Sequence, residues 1–184
     1  MNALEESDQL ALNVQAKAWI YKLELRPHPE GGYFSESYRS KACANFKDYK
    51  GKRAISTAIY YLLESDQISK FHTIKSDELW HYYAGSSLIL HTIPKVNYGR
   101  KSSGQKTRLK KTILGIKGAR AVPQALVAGD NIVAASVLEK NTYSLVGCTV
   151  APGFDFEDWK KIDSSDLVLQ NPYLRQPFIR YKLL

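Results

Sequence analysis

The sequence predicts an all-β fold, an antiparallel barrel or sandwich of the jelly-roll kind, and two observations predict it. About nine short runs rich in β-branched and aromatic residues follow one another between residues 33 and 150, separated by Gly, Pro, Ser, Asn and Asp turn signals. No segment between them has the length and 3.6-residue period of a helix. The 184 residues, 44% of them apolar, fit one domain with a core of its own. The barrel is expected over about 30–158, behind an N-terminal helix at about 4–20.

Leu4 to Ile20 carries apolar residues at Leu10, Val14 and Ala18, with Glu5, Glu6 and Asp8 early, where a helix dipole favours acids. Leu25 to Phe34 then holds two prolines and the pair Gly31-Gly32, which predict a tight, irregular entry into a strand through Phe34, Glu36 and Tyr38. His28, between the prolines, is expected at the surface, and Glu30 and Arg39 as pocket, interface or salt-bridge residues. Ile55 to Leu63 is apolar on both parities and suits a strand covered on both faces. Further strands are expected at Phe71–Ile74, Glu78–Tyr83, Leu88–Ile93, Thr107–Leu114, Gln124–Val127, Ile132–Leu138 and Tyr143–Val150. Beyond Ala151-Pro152-Gly153 the chain should leave the sheet, and Asp166 to Leu184 reads as a short helix and tail.

Charge and cysteine usage narrow the class. No apolar run is long enough to span a bilayer, and the first residues lack the basic-then-apolar order of a signal peptide. Cys43 and Cys148 are too few for a disulfide framework, so a soluble cytoplasmic protein with unpaired thiols, more buried hydrophobes than nucleophiles, is expected. The net charge is +8, and nine Lys or Arg between Lys95 and Arg120 meet no acid from Leu79 to Gly129. The segment reads as the solvated face of a long hairpin turning at Gly99, Ser102, Ser103 and Gly104. Nucleic-acid binding is the weaker alternative, because Tyr98 is nearly the only ring there to stack a base.

Chemically able side chains concentrate between Phe71 and Gly85, where His72 and His81 meet Asp77, Glu78, Trp80, Tyr82 and Tyr83. Strand alternation puts His72 and Ile74 on one face and groups Glu78 with Trp80 and Tyr82, away from Leu79, His81 and Tyr83. A sheet curled around such a set encloses a small-molecule pocket. The expected ligand-binding residues are Arg39, Tyr60, His72, Glu78, Trp80 and Tyr82. Between Gly153 and Trp159 the acids Asp155, Glu157 and Asp158 should repel one another unless cations or backbone N–H groups meet them; cations from another segment or from a dimer partner are a simpler answer than Mg²⁺ or Ca²⁺.

Several motifs carry a resemblance. Pro27-His28-Pro29-Glu30-Gly31-Gly32-Tyr33-Phe34, Tyr38-Arg39-Ser40, the run Ser56 to Leu63, Ser76-Asp77-Glu78-Leu79-Trp80-His81 and the run Leu145 to Asp158 resemble the cupin superfamily, and within it the cupin-5 or DUF985 family. The resemblance covers most of residues 20–160 and implies a double-stranded β-helix barrel, commonly a homodimer. Metal-binding cupins usually take two His and a Glu from a first motif and a third His from a second. Here that pattern falls on His72, Ile74, Glu78 and Gly85, and the second region, Val127 to Ile132, has no His. No cofactor is therefore favoured, and a divalent metal on His72, Glu78 and His91 is a residual alternative. The function expected first is binding of a small molecule inside the barrel. The second is a metal-independent isomerase or epimerase, with His72 as base, Asp77 or Glu78 orienting it, and Tyr60, Tyr61 or Tyr82 as acid.

Overall fold

The computed structural model describes residues 14–95 and 108–184. A helix, α1, covers 14–22. The strands follow as β1 (Arg26–Pro27), β2 (Tyr33–Arg39), β3 (Cys43–Asn45), β4 (Lys52–Ala54), β5 (Thr57–Glu64), β6 (Ile68–Ile74), β7 (Asp77–Gly85), β8 (Leu88–Ile93), β9 (Lys110–Leu114), β10 (Ala121–Val122), β11 (Gln124–Val127), β12 (Ile132–Val137), β13 (Tyr143–Ala151) and β14 (Trp159–Lys161). Helices α2 (Ser164–Gln170) and α3 (Arg175–Arg180) close the chain. One six-stranded sheet has the order β1-β2-β5-β13-β7-β11 and the other β10-β9-β8-β12-β6-β14, with β3 and β4 paired apart. Every ladder is antiparallel except the short β9–β10 pair. The jelly-roll expectation therefore holds.

Strand alternation sorts the apolar residues into three layers. Between the sheets, Tyr61, Leu63 and Trp80 meet Leu88, Leu90, Leu114 and Val133. Outside the second sheet, Phe71, Ile93, Ile132 and Ala134 are covered by Leu167, Leu174, Phe178 and Leu183. Outside the first, Leu62, Tyr143 and Leu145 pack with Ala16 and Leu25 and with Trp19 and Ile20 of α1. The chain end is thus more than a short helix and tail: α2, a 3₁₀ turn at Pro172–Leu174 and α3 form a lid whose Phe178 is fully buried. β14 is a second departure, since the chain rejoins the second sheet beside β6 instead of leaving it. Residues 1–13, and with them the start of the predicted N-terminal helix, lie outside the described residues. So does the predicted turn at Gly99, Ser102, Ser103 and Gly104.

A bulge in β6 matters most for what the barrel encloses. Val133 pairs with His72 and Ala135 with Ser69, so two residues of β6, Lys70 and Phe71, stand opposite Ala134 alone. The extra residue resets the alternation. Ser69 and His72 consequently both face the interior, while Phe71 turns out beneath the C-terminal helices.

Candidate functional site in the barrel

The interior is packed at one end and hollow at the other. The cavity, about 300 Å³, is lined by His28, Glu30, Tyr61, His72, Glu78 and Trp80 at its depth, and by Phe34, Arg39, Phe154, Asp155 and Phe156 toward its mouth. It lies in the range of small-molecule sites, at the lower end.

Glu30 is held by an unusual turn. The His28 carbonyl accepts from Gly31 N–H at 3.0 Å and the Gly32 carbonyl from His28 N–H at 2.9 Å. Gly31 has φ +112°, and a Cβ there would stand 2.2 Å from the Ile68 carbonyl oxygen. Only glycine brings the turn this close to β6. The approach lets Lys70 N–H donate to the Glu30 carbonyl at 2.9 Å and sets the Glu30 side chain over β6. There its carboxylate accepts from Ser69 Oγ at 3.1 Å and from the Trp159 indole N–H, and lies 3.3 Å from His72 Nδ1.

Backbone partners fix the tautomers of both pocket histidines. His72 Nδ1 lies 2.8 Å from the Lys70 carbonyl, which can only accept, so Nδ1 carries the proton and Nε2 the lone pair. His28 Nδ1 instead accepts from Glu30 N–H at 3.2 Å, which leaves the proton on Nε2. One imidazole thus offers a base and the other a donor. Glu78, opposite, accepts from the Trp80 indole N–H at 2.8 Å through Oε2.

Desolvation dominates the electrostatics. Burial pushes the Glu78 carboxyl up to about 7, against the pull of His72. Burial also raises Glu30, partly offset by His28 and the Trp159 and Ser69 hydrogen bonds. It lowers both imidazoles: His72 in spite of Glu78, and His28 in spite of Glu30. Burial and the nearby carboxyls hold the Cys148 thiol well above its ordinary range, so it serves as wall and not as nucleophile.

The structure revises several sequence-based expectations. His28 is not at the surface: its ring lies edge-on to Phe34, with centroids 4.6 Å apart, and lines the cavity. Tyr60 is not in the pocket, because Thr57, Ile59 and Tyr61 take the inward parity of β5 and Tyr60 packs with the α1 layer. Tyr82 shares the Glu78 face but lies farther along β7, its hydroxyl donating to the Gly85 carbonyl at 2.5 Å. Tyr61 does line the cavity, yet its hydroxyl donates to the Gly31 carbonyl at 2.7 Å and burial pushes its pKa well up. Asp77 does not orient His72, since its carboxylate accepts from Gly129 N–H at 2.8 Å; Glu30 holds that place. Arg39 stands at the mouth, paired with Glu36 through two hydrogen bonds of 2.9 and 2.7 Å. His81 faces outward to Thr149 and Gln124.

The profile of one known family, Cupin_5, described as "Cupin superfamily (DUF985)", matches residues 17–162. The chain belongs to this cupin family. A hypothetical protein from Leishmania major is 36% identical, with 86% of this chain and 93% of that one covered at a TM-score of 0.75. A protein from Shewanella oneidensis is 31% identical over 90% and 95% of the two chains, again at 0.75. The structure of CapF with the inhibitor 3-isopropenyl-tropolone, 10% identical over 76% of this chain and 34% of that one at 0.50, shares the fold. No curated protein matches this cupin.

The metal set usual among cupins does not fit these residues. Ile74 presents hydrocarbon to the cavity where the second histidine of the first motif would stand. His91 is on the other face of its sheet, bonded to Ser136 Oγ at 2.9 Å and lying 4.8 Å from the Tyr181 ring, so His72, Glu78 and His91 are not brought together. Among the described residues no group of three or more His, Cys, Asp or Glu is arranged to hold a metal ion.

Proposed function

We propose that this cupin binds a small organic molecule inside its barrel and moves protons to and from it without a metal, in the manner of an isomerase or epimerase. The observation that carries the reading is the pairing of a bare imidazole nitrogen, His72 Nε2, with a carboxyl whose pKa is raised to about 7, both in one cavity. A base of that kind takes a proton next to a carbonyl, and an acid near neutrality returns one. The Lys70 carbonyl and Glu30 keep the His72 lone pair aimed at the cavity, and Glu30 steadies the imidazolium that forms. Trp80, Phe34 and the mouth phenylalanines supply apolar walls, and every group named comes from a single chain.

Hydrogen exchange tests the reading without knowledge of the physiological substrate. The protein is incubated in D₂O with small α-hydroxy ketones and reducing sugars, and C–H to C–D exchange beside the carbonyl is followed by NMR. The wild type should exchange at least one probe, and His72→Ala and Glu78→Gln should each slow it about 100-fold, the scale of one positioned acid or base. Wild-type exchange no faster than that of His72→Ala would overturn the proton-transfer role.

A further inference from the structure

We propose that the cleft on the outer face of the second sheet is a second ligand site, selective for a compact polyanion bearing several phosphate groups. The cleft has a volume of about 710 Å³ and lies where β9, the end of β12 and the turn after α3 meet. Among the described residues five cations line it, Lys111, Arg120, Lys140, Arg180 and Lys182, against a single acid, Glu139. They come from three well-separated parts of the sequence. Only two belong to the basic tract that the sequence displays, so the cluster is a product of the fold.

The mutual geometry of these charges is what calls for a ligand. Lys111 Nζ donates to the Tyr181 hydroxyl at 2.9 Å and lies 4.7 Å from its ring centroid, while Arg180 Cζ lies 5.7 Å from the same centroid. Two full positive charges therefore stand no more than about 10 Å apart, one Debye length at ordinary salt, so part of their mutual repulsion survives screening. Among the described residues none of the five forms an ion pair, although Arg39, Arg53 and Lys95 elsewhere all do. A multiply charged anion would relieve this repulsion, with Ser65, Thr112 and Ser136 as neutral hydrogen-bonding partners. Tyr181, the one ring lining the cleft among the described residues, is already engaged by two cations. Base stacking thus finds no ready platform, which favours a compact oligophosphate over a nucleic-acid strand.

Titration calorimetry with inorganic tripolyphosphate at low salt tests the site. The wild type should bind at 1:1, and Arg120→Glu with Arg180→Glu should weaken binding at least tenfold. Lys47→Glu with Lys52→Glu, an equal charge change outside the cleft, should alter it less than twofold. ATP binding like tripolyphosphate would assign recognition to phosphates alone, and tighter ATP binding would add a nucleoside contact; either supports the site. His91, buried behind Tyr181, supplies a local reporter, and its ring resonances should shift on saturation. His72→Ala should bind tripolyphosphate as the wild type does, which separates this site from the barrel pocket. No binding, equal weakening in both double variants, or binding of a single-stranded oligonucleotide without binding of tripolyphosphate would each overturn the proposal.

Discussion

Arg53→Ala should destabilise the protein by about 3 kcal/mol, the scale of breaking a buried ion pair from one side. Arg53 is 5% exposed, and its guanidinium is used in full. Nε and Nη2 donate to Asp158 at 2.6 and 3.3 Å, Nη2 also to Glu157 at 3.4 Å, and Nη1 to the Lys50 and Lys52 carbonyls at 2.7 and 3.1 Å. Its removal strands the Asp158 carboxylate, whose side chain is only 9% exposed, and frees two carbonyls. Glu157 is largely in solvent and adds little, which keeps the figure at the lower end. The bridge is therefore the cationic answer at Asp158 and Glu157, while Asp155 is met by the Glu157 backbone N–H at 2.9 Å. Arg53→Lys should recover only part of the loss, because an ammonium cannot reproduce the fork. Urea unfolding followed by tryptophan fluorescence measures both variants, and a loss below 1 kcal/mol would rank the bridge with ordinary surface pairs. The effect should also reach the pocket. Arg53 ties β4 to the turn that carries Phe154, Asp155 and Phe156 at the mouth and leads to Trp159, whose indole holds Glu30.

The contrast between what could and could not be read in the sequence has a physical basis. The long strands could be read because period-2 alternation and turn residues are local properties: β8 and β11 have the predicted bounds, and β5, β7, β12 and β13 differ by a residue or two. The two-residue strands β1 and β10 are set by a neighbouring ladder and carry no pattern of their own. His72, Glu78 and Trp80 were legible as pocket residues, since they stand on such a strand pair. Tyr60 and Tyr82 were not separable from their neighbours, because parity does not say which face of β5 turns inward or how far along β7 the hollow extends. His28 was missed for another reason. A histidine flanked by prolines looks exposed until Gly31 is seen to admit the Ile68 carbonyl, although the Gly31-Gly32 pair was the available signal of a close approach. The bulge at Lys70 and Phe71 left no mark in composition either, yet it lets Ser69 and His72 both reach Glu30.

Glu78→Gln should reverse a loss of stability that the wild type suffers as pH rises. A carboxyl raised from the ordinary 4.5 to about 7 binds its proton more tightly in the folded state than in the unfolded one. Its favourable contribution is complete below pH 4.5, declines as the unfolded chain ionises above that, and is gone once the folded group has ionised above about 7. The full swing is about 3 kcal/mol. His28 and His72 act in the opposite sense, because burial disfavours their charged forms and they lower stability as pH falls below 6.5. Both remain in the variant, and losing Glu78 lets the His72 pKa fall further, so the difference between the two proteins reads Glu78 together with its coupling to His72, which acts in the same direction. Measured by urea unfolding at pH 5 and pH 8, Glu78→Gln should gain about 2.5 kcal/mol relative to the wild type across that interval, most of the full swing. Parallel stability profiles would mean that Glu78 ionises in the ordinary range. The barrel would then hold a fixed anion opposite His72 where proton return needs an acid near neutrality, and the proposed chemistry would lose its second partner.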